Sequence, residues 1–429
     1  MEDNQNSKRI LIVGGGFVGL TLAAKLLKNL NSYVIVLEKN TKKIEEFLIH
    51  EYGVYEPGLN SIFKDARECN RLHFVQTLGE LPVDIVFICI NTSKNELNRH
   101  DSLISVIEGL FYNIVRNGYI FLRSTVPVGT TTIVKNYLVK SDRSDLRISF
   151  APERTVEGIA LKELDSLPQL VGSTDYDSLE IGTRILESFK FSIIQTSNSE
   201  VAEFIKLMSN IWRDSTFAIA NEFALFAESL NLNIFEILEK ANFDYPRAGI
   251  PYPGPVGGPC LSKDTYLFLE SFKGETNNDS IIYKARKQNE KITTIAFQKI
   301  IKFIDVNLAK KKILIIGGAF KGKPRTNDIR SGFTQELVKM LRGHQLQVAI
   351  WDPTLLPRDL LVDADCYTTS LDFETYDVVV IGNNANFILE EPVVNFLLNL
   401  PNATLIIDMW GATKNLDIKA KIYRYGVGI

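Results

Sequence analysis

Cysteine and histidine are scarce in this chain, 4 of each in 429 residues. Cys69, Cys89, Cys260 and Cys366 lie far apart, which excludes a disulfide framework and the close ligand spacing of a structural zinc site. No apolar run reaches the roughly 20 residues of a membrane-spanning helix, and the opening Met-Glu-Asp-Asn-Gln-Asn has no signal-peptide apolar core. An excess of one charge is missing too. The net charge of −3 argues against a nucleic-acid or membrane partner held by bulk electrostatics. Together these absences predict a protein of the reducing cytoplasm, without metal, nucleic acid or membrane. The remaining composition, 45% hydrophobic and 23% charged, is that of a globular protein long enough for two or three domains.

What is present is an alternation of short apolar runs and helix-period segments. Arg9 to Val13 reads as a strand, followed at once by Gly14, Gly16 and Gly19 and then a helical Leu20 to Leu30. G-x-G-x-x-G between a strand and a helix is a dinucleotide-binding turn. Its glycines permit a tight bend and close backbone approach, so that a pyrophosphate can rest at the helix N-terminus, where Phe17 and Val18 stand. A second strand, Tyr33 to Leu37, ends at Glu38. That carboxylate suits ribose hydroxyls and repels a 2′-phosphate, favouring NAD over NADP; Lys39 beside it is a further candidate contact.

The alternation continues through strands at Asp84 to Ile90, Tyr119 to Arg123 and Arg147 to Ala151, with helices expected at Ser102 to Arg116 and Thr130 to Val139. Residues just past the carboxyl ends of parallel strands face the ligand crevice. Thr92, Ser124, Thr125 and Glu153 therefore fall on the functional side, while Cys89, inside an apolar strand, reads as packing. Gln169 to Gly172 and Ser192 to Gln195 read as short strands at one edge.

Glu200 to Leu230 contains no Gly or Pro and reads as one long helix. At about 100° per residue, Glu203, Lys206, Asn210 and Asn221 share one stripe of it. The stripe is either a solvated face or, given its dense apolar flanks, a row of functional groups that includes a lysine beside apolar surface. A second helix, Ile234 to Asn242, precedes the stretch Pro251 to Thr265, a Pro- and Gly-rich loop that ends in Cys260, Lys263 and Asp264. A thiol with a bare approach path and a nearby cation suits covalent catalysis; a tight turn with a packed cysteine is the competing reading. Helices at Lys263 to Phe272 and Ile281 to Phe303 complete a helical middle section.

A second α/β region opens at Lys311 to Gly317, with a glycine loop, a basic stretch carrying Lys321, Lys323, Arg325 and Arg330, a helix at Gly332 to Arg342, and strands at Leu346 to Trp351, Tyr376 to Ile381 and Thr404 to Ile407. The fold expected is α/β, with two Rossmann-like doubly wound domains joined by an all-helical section with one long helix. The division is 1–197 for NAD, 198–308 for the helices and the cysteine loop, and 309–429 for a second phosphorylated ligand, unless its basic loop is merely solvated. An NAD enzyme with a nucleophilic cysteine and an amine points to aldehyde-level oxidation through a thiohemiacetal and a thioester.

Taken together, Gly14-x-Gly16-x-x-Gly19, Tyr55-Glu56-Pro57-Gly58-Leu59, Ser124-Thr125-Val126-Pro127-Val128-Gly129-Thr130, Pro152-Glu153-Arg154, Glu203-x-x-Lys206-x-x-x-Asn210, Asn221-Glu222, Gly257-Gly258-Pro259-Cys260-x-x-Lys263-Asp264 and Ala319-Phe320-Lys321 with Asp328-Ile329-Arg330 form an ordered set. In it the chain resembles the UDP-glucose/GDP-mannose dehydrogenase family along nearly its whole length. The resemblance implies oxidation of the C6 alcohol of a nucleotide sugar to a carboxylate with two NAD, in a homodimer. It makes Cys260 the nucleophile, with Lys206 and Asn210 on the oxyanion. Asp264, with Lys206, would hold and deprotonate the water or alcohol, and Glu153 and Thr125 would place the hydrolytic water. Arg154, Arg247, Gly257 and Lys321 would contact substrate, Arg247 in the neighbouring subunit. Thr92, Thr125 and Arg330 would contact the cofactor.

The chain departs from the family pattern at Asn91-Thr92-Ser93, at Val256, and in Ser331-Gly332 after Arg330. Pro152-Glu153-Arg154 resembles the branch that handles N-acetylated hexosamines, so UDP-N-acetylmannosamine or an epimer is the expected substrate, with UDP-glucose as runner-up. A simpler β-hydroxyacid dehydrogenase, which shares the first domain, the long helix and the Lys-x-x-x-Asn pair but needs no Cys260, and a non-catalytic nucleotide-binding protein stay open as other classes.

Overall fold

The computed structural model describes residues 8–29, 32–91, 99–272, 278–304, 311–355 and 376–428, with 359, 368 and 371 as single positions. They fall into two compact units, Met1–Ser209 with Tyr266–Lys273 and Asn210–Thr265 with Gly274–Ile429.

The first unit runs β1 (Arg9–Val13), α1 (Phe17–Leu27), β2 (Tyr33–Leu37), α2 (Thr41–Leu48), α3 (Leu59–Glu68), β3 (Leu72–Val75), β4 (Val83–Ile88), α4 (Arg99–Glu108), β5 (Ile114–Leu122), α5 (Thr130–Lys140), β6 (Arg147–Phe150), α6 (Ala160–Ser166), β7 (Gln169–Ser173), α7 (Tyr176–Ser188) and β8 (Ile193–Gln195). Its sheet has the order β3-β2-β1-β4-β5-β6-β7-β8, parallel except for the β6–β7 pair. The first six strands follow the doubly wound dinucleotide-binding order, so a crevice opens between the carboxyl ends of β1 and β4, where the winding reverses. Strands such as Arg-Ile-Leu-Ile-Val and Tyr-Val-Ile-Val-Leu are apolar on both faces because helices cover both, and a buried cluster fills each side.

Four helices follow: α8 (Ser199–Ser229), α9 (Ile234–Asn242), α10 (Leu261–Glu270) and α11 (Ile281–Ile304). The second unit then builds β9 (Lys312–Ile316), α12 (Phe333–Gly343), β10 (Gln347–Trp351), β11 (Val378–Ile381), α13 (Val393–Leu398), β12 (Leu405–Asp408) and β13 (Lys421–Arg424). Its five strands are all parallel, in the order β10-β9-β11-β12-β13, a second doubly wound arrangement. The expected fold class is met.

Local readings needed correction. The helix expected to reach Arg116 stops at Glu108, beside Gly109, and the chain re-enters the sheet as β5 from Ile114. The sequence reading does not include the helices α2, α3, α6, α7 and α13 or the strands β3 and β13. The polar stripe of α8 is not a solvated face: Glu203, Lys206, Asn210 and Asn221 are all buried. The exposed side is instead apolar, with Phe204, Met208, Trp212, Ile219, Phe223 and Phe226. No helix among the described residues is long and apolar enough to cross a membrane.

Candidate active site

At the end of β1 the three glycines do different work. A Cβ on Gly19 would stand 2.0 Å from the Gly14 carbonyl oxygen, and one on Gly14, at φ +107°, would stand 2.6 Å from the Cys89 carbonyl oxygen. These two are needed by the turn itself. Gly16 is different: a Cβ there would meet nothing within 4 Å, so open space lies in front of the N-terminus of α1, where Phe17 and Val18 are half-buried. Glu38, buried at the end of β2, accepts the Gly15 N–H at 3.0 Å with one oxygen and the Asn40 N–H at 3.0 Å with the other. Each oxygen keeps a lone pair for a ribose hydroxyl. Lys43, at 3.7 Å from Glu38, and the exposed Lys39 flank it. Open space before a helix N-terminus beside a buried carboxylate fits NAD. Thr92 lies outside the described residues.

Thr125 and Glu153 sit past the carboxyl ends of β5 and β6. The Ser124 hydroxyl donates to the Ile90 carbonyl at 2.7 Å, fixing this turn to the end of β4. Glu153 is buried, and both its oxygens accept hydrogen bonds. One oxygen takes Arg123 Nη2 at 2.6 Å, and the other takes the N–H groups of Arg154 at 2.7 Å and Thr155 at 2.9 Å. Arg123 Nη1 donates to Gln169 Oε1 at 2.9 Å, and Gln169 donates to the Pro152 carbonyl at 2.9 Å. Burial pushes the Glu153 carboxyl up, but the Arg123 guanidinium and the Thr155 bonds outweigh it and hold it below the usual range. The Arg154 side chain is exposed. Burial pushes the nearby Cys89 thiol up to about 12, as its reading as packing implies.

Glu203, on α8, accepts the N–H groups of Gly129 at 2.6 Å and Thr131 at 2.8 Å and the Thr131 hydroxyl at 2.6 Å. It caps α5 and ties α8 to the end of the Ser124–Thr130 turn, one helical turn before Lys206. Burial pushes its carboxyl up to about 7. Glu56, from the Tyr-Glu-Pro-Gly-Leu motif, plays a structural part. It accepts the N–H groups of Gly158 and Leu161, each at 3.0 Å, at the start of α6.

In the second unit Asn210 Nδ2 donates to Asp264 Oδ2 at 2.6 Å, and Lys263 Nζ donates to Oδ1 at 2.6 Å. The Cys260 carbonyl accepts the N–H groups of Lys263 at 3.1 Å and Asp264 at 3.0 Å and so starts α10, leaving Cys260 exposed at that helix's N-terminus. Gly257 and Gly258 are bare because another loop presses on them. A Cβ on Gly257 would stand 2.4 Å from the Ser331 carbonyl oxygen, and one on Gly258, at φ +92°, 2.6 Å from the Phe320 ring. Lys321, over the Phe320 ring, lines a cavity of about 300 Å³ with Arg325, Thr354 and Asn383. Arg330 lies against Asp328, with Nε at 2.9 Å from both carboxylate oxygens. Arg247 stands on an exposed loop, donating to its neighbour Tyr245 at 3.2 Å.

Sequence reasoning missed Arg123 and Gln169 beside Glu153, and Asp214, Arg286 and Asn289 beneath the cysteine loop. A signal existed for two of them. Arg286 and Asn289 lie in phase with Ile292, Ala296 and Ile300, the buried face of α11.

Residues 8–190 match the NAD binding domain of the UDP-glucose/GDP-mannose dehydrogenase family, and residues 200–291 match its central domain. The UDP-N-acetyl-D-mannosamine dehydrogenase of Methanocaldococcus jannaschii is 31% identical over 387 residues, covering 89% of this chain and 86% of its own. The chain belongs to the UDP-glucose/GDP-mannose dehydrogenase family. It is also 26% identical, over 365 residues, to the UDP-glucose 6-dehydrogenase of Bacillus subtilis, covering 82% of this chain and 77% of that protein. Among solved structures, the UDP-D-ManNAc dehydrogenase of Pyrococcus horikoshii superposes with a TM-score of 0.84 at 26% identity, covering 97% of this chain and 99% of that one. The family's use of NAD accounts for the glycine turn after β1 and for the buried Glu38 beside it.

Proposed function

We propose that this chain oxidises the C6 alcohol of UDP-N-acetylmannosamine to the carboxylate, in two NAD-dependent steps with Cys260 as nucleophile. The observation that carries the reading is Cys260, exposed at the N-terminus of α10 after residues 253–259, which are all buried or half-buried, and one helical turn before Asp264, which Asn210 holds. NAD, when bound, accepts the hydride lost from C6 in each oxidation. Asp264, held by Asn210 and Lys263, takes the alcohol proton as the first hydride leaves and the aldehyde forms. The Cys260 sulfur adds to that aldehyde, and Lys206 and Asn210, four residues apart on α8, donate to the oxygen of the thiohemiacetal. Loss of the second hydride leaves a thioester. Water placed by Thr125 and the ionised Glu153 adds to the thioester carbonyl, the C–S bond breaks, and the uronate leaves with the thiol restored.

The relatives named as UDP-N-acetyl-D-mannosamine dehydrogenases support the substrate, and Arg154 after Glu153 agrees with them. Arg247, Gly257 and Lys321 belong to the substrate side of this reading, and Arg330 to the cofactor side. The apolar stripe of α8 supports a homodimer packed on that helix, and a thiol nucleophile suits the reducing cytoplasm. A panel of UDP-sugars with NAD tests the reading. UDP-N-acetylmannosamine should turn over with two reduced cofactors per sugar. Turnover of UDP-glucose alone, or one reduced cofactor per sugar, would overturn it, and a fully active Cys260→Ala variant would point to a simpler alcohol dehydrogenase.

A further inference from the structure

A loop rich in Pro and Gly has no backbone ladder to fix it, so a thiol at its end needs holding from outside. In the second unit four side chains exposed by no more than 3%, Asp214 and Asn221 on α8 and Arg286 and Asn289 on α11, form one hydrogen-bonded chain. Arg286 Nη1 donates to Asp214 Oδ1 at 2.8 Å, Asn289 Nδ2 donates to the same oxygen at 2.8 Å, and Asn221 Nδ2 donates to Asn289 Oδ1 at 2.9 Å. Both ends of this chain grip the cysteine loop. Asn221 takes the Gly254 N–H at 2.8 Å and gives to the Gly254 carbonyl at 3.0 Å, so that one amide pins one residue twice. Arg286 gives to the Val256 carbonyl at 3.3 Å and to the Leu261 carbonyl at 3.1 Å, on either side of Cys260.

We propose that Arg286 and Asn221 are positioning residues for the Cys260 thiol. They bolt the two flanks of its loop to two long helices. This rests on the reading of Cys260 as the nucleophile. Only a planar, many-donor head can serve a carboxylate and two carbonyls at once, so arginine and lysine are not equivalent at position 286. An Arg286→Lys variant keeps a cation against Asp214, and with it the buried ion pair, but cannot span the Val256 and Leu261 carbonyls. Positioning is thereby separated from mere stability.

In the full-length protein, Arg286→Lys should keep its melting temperature within a few degrees and its KM for NAD within about twofold, while kcat falls about tenfold or more, because misplacement of a reacting group is costly. Amide exchange across residues 254–261 should accelerate in the same variant. Lys287→Ala, on the exposed side of α11, should leave all of these unchanged. A folded Arg286→Lys variant with wild-type kcat, or with loop exchange as slow as the wild type's, would overturn the proposal. If the variant does not fold, wild-type exchange decides. Protection of the Gly254 amide comparable to the α11 amides supports the clamp, and exchange as fast as that of the exposed Arg247 loop refutes it. A mass search for sugar bound to Cys260 in Glu153→Gln separates the two failures. No adduct condemns the nucleophile reading whatever Arg286 does; an adduct together with an unimpaired Arg286→Lys condemns the clamp alone.

Discussion

Arg123 Nη2 meets Glu153 Oε2 at 2.6 Å, with the arginine side chain at 0% and the glutamate side chain at 8% exposure. Both carboxylate oxygens are engaged, one by the cation and one by two backbone N–H groups. A carboxylate so held stays ionised at neutral pH.

Replacing Arg123 by Met leaves that buried carboxylate without its cation, and its pKa rises. Breaking such a pair costs about 3–5 kcal/mol, read as a lower urea midpoint. In the wild type the pair's contribution is present above the ordinary glutamate range and is lost as pH falls through the lowered folded value. The acid limb of the pH–kcat profile should move upward in the variant. A profile that stays in place would separate Glu153 from the rate.

Glu203 runs the other way. Its carboxyl is raised from 4.5 to about 7 by burial, so the folded state binds a proton more tightly than the unfolded state. That stability is fully present below about 4.5 and is lost progressively as pH rises to about 7. Across the window it amounts to about 3 kcal/mol at 1.36 per pKa unit, and Glu203→Gln should abolish this slope in denaturant titrations at pH 5 and pH 8.

The glycine loop offers a pair of substitutions with opposite readouts. Gly16→Ala finds open space, so its melting temperature should match the wild type while NAD affinity falls about tenfold or more, since the methyl stands where the pyrophosphate must approach. Gly19→Ala instead meets the Gly14 carbonyl oxygen at 2.0 Å and should lower the melting temperature itself. Calorimetric NAD titration and thermal unfolding of both variants check the contrast.

On the exposed apolar face of α8, Trp212 is 70% and Phe226 57% exposed. A contiguous apolar patch marks an interaction site, and the occupant proposed for it is a second copy of the chain. Trp212→Glu combined with Phe223→Glu should convert a particle of twice 48.4 kDa to one of 48.4 kDa in light scattering. A wild type that is already monomeric at micromolar concentration would refute the homodimer.

The sequence by itself determined the parts that depend on local order: the strand–glycine–helix turn at Gly14 to Gly19, the carboxylate at Glu38, the uninterrupted helix from Glu200, and the Pro/Gly loop that ends in Cys260. Each is a rule of neighbouring residues, so spacing was enough. Tertiary structure decided which face of a helix is covered. Periodicity gave the stripe of Glu203, Lys206, Asn210 and Asn221 its phase on α8. Only packing could show that this polar row is buried and the aromatic row exposed, because burial depends on what the rest of the chain lays against it. The same holds for Arg123 with Glu153, 30 residues apart, and Arg286 with Asp214, 72 apart. Buried charges need partners, and the fold alone brings partners so distant in sequence together.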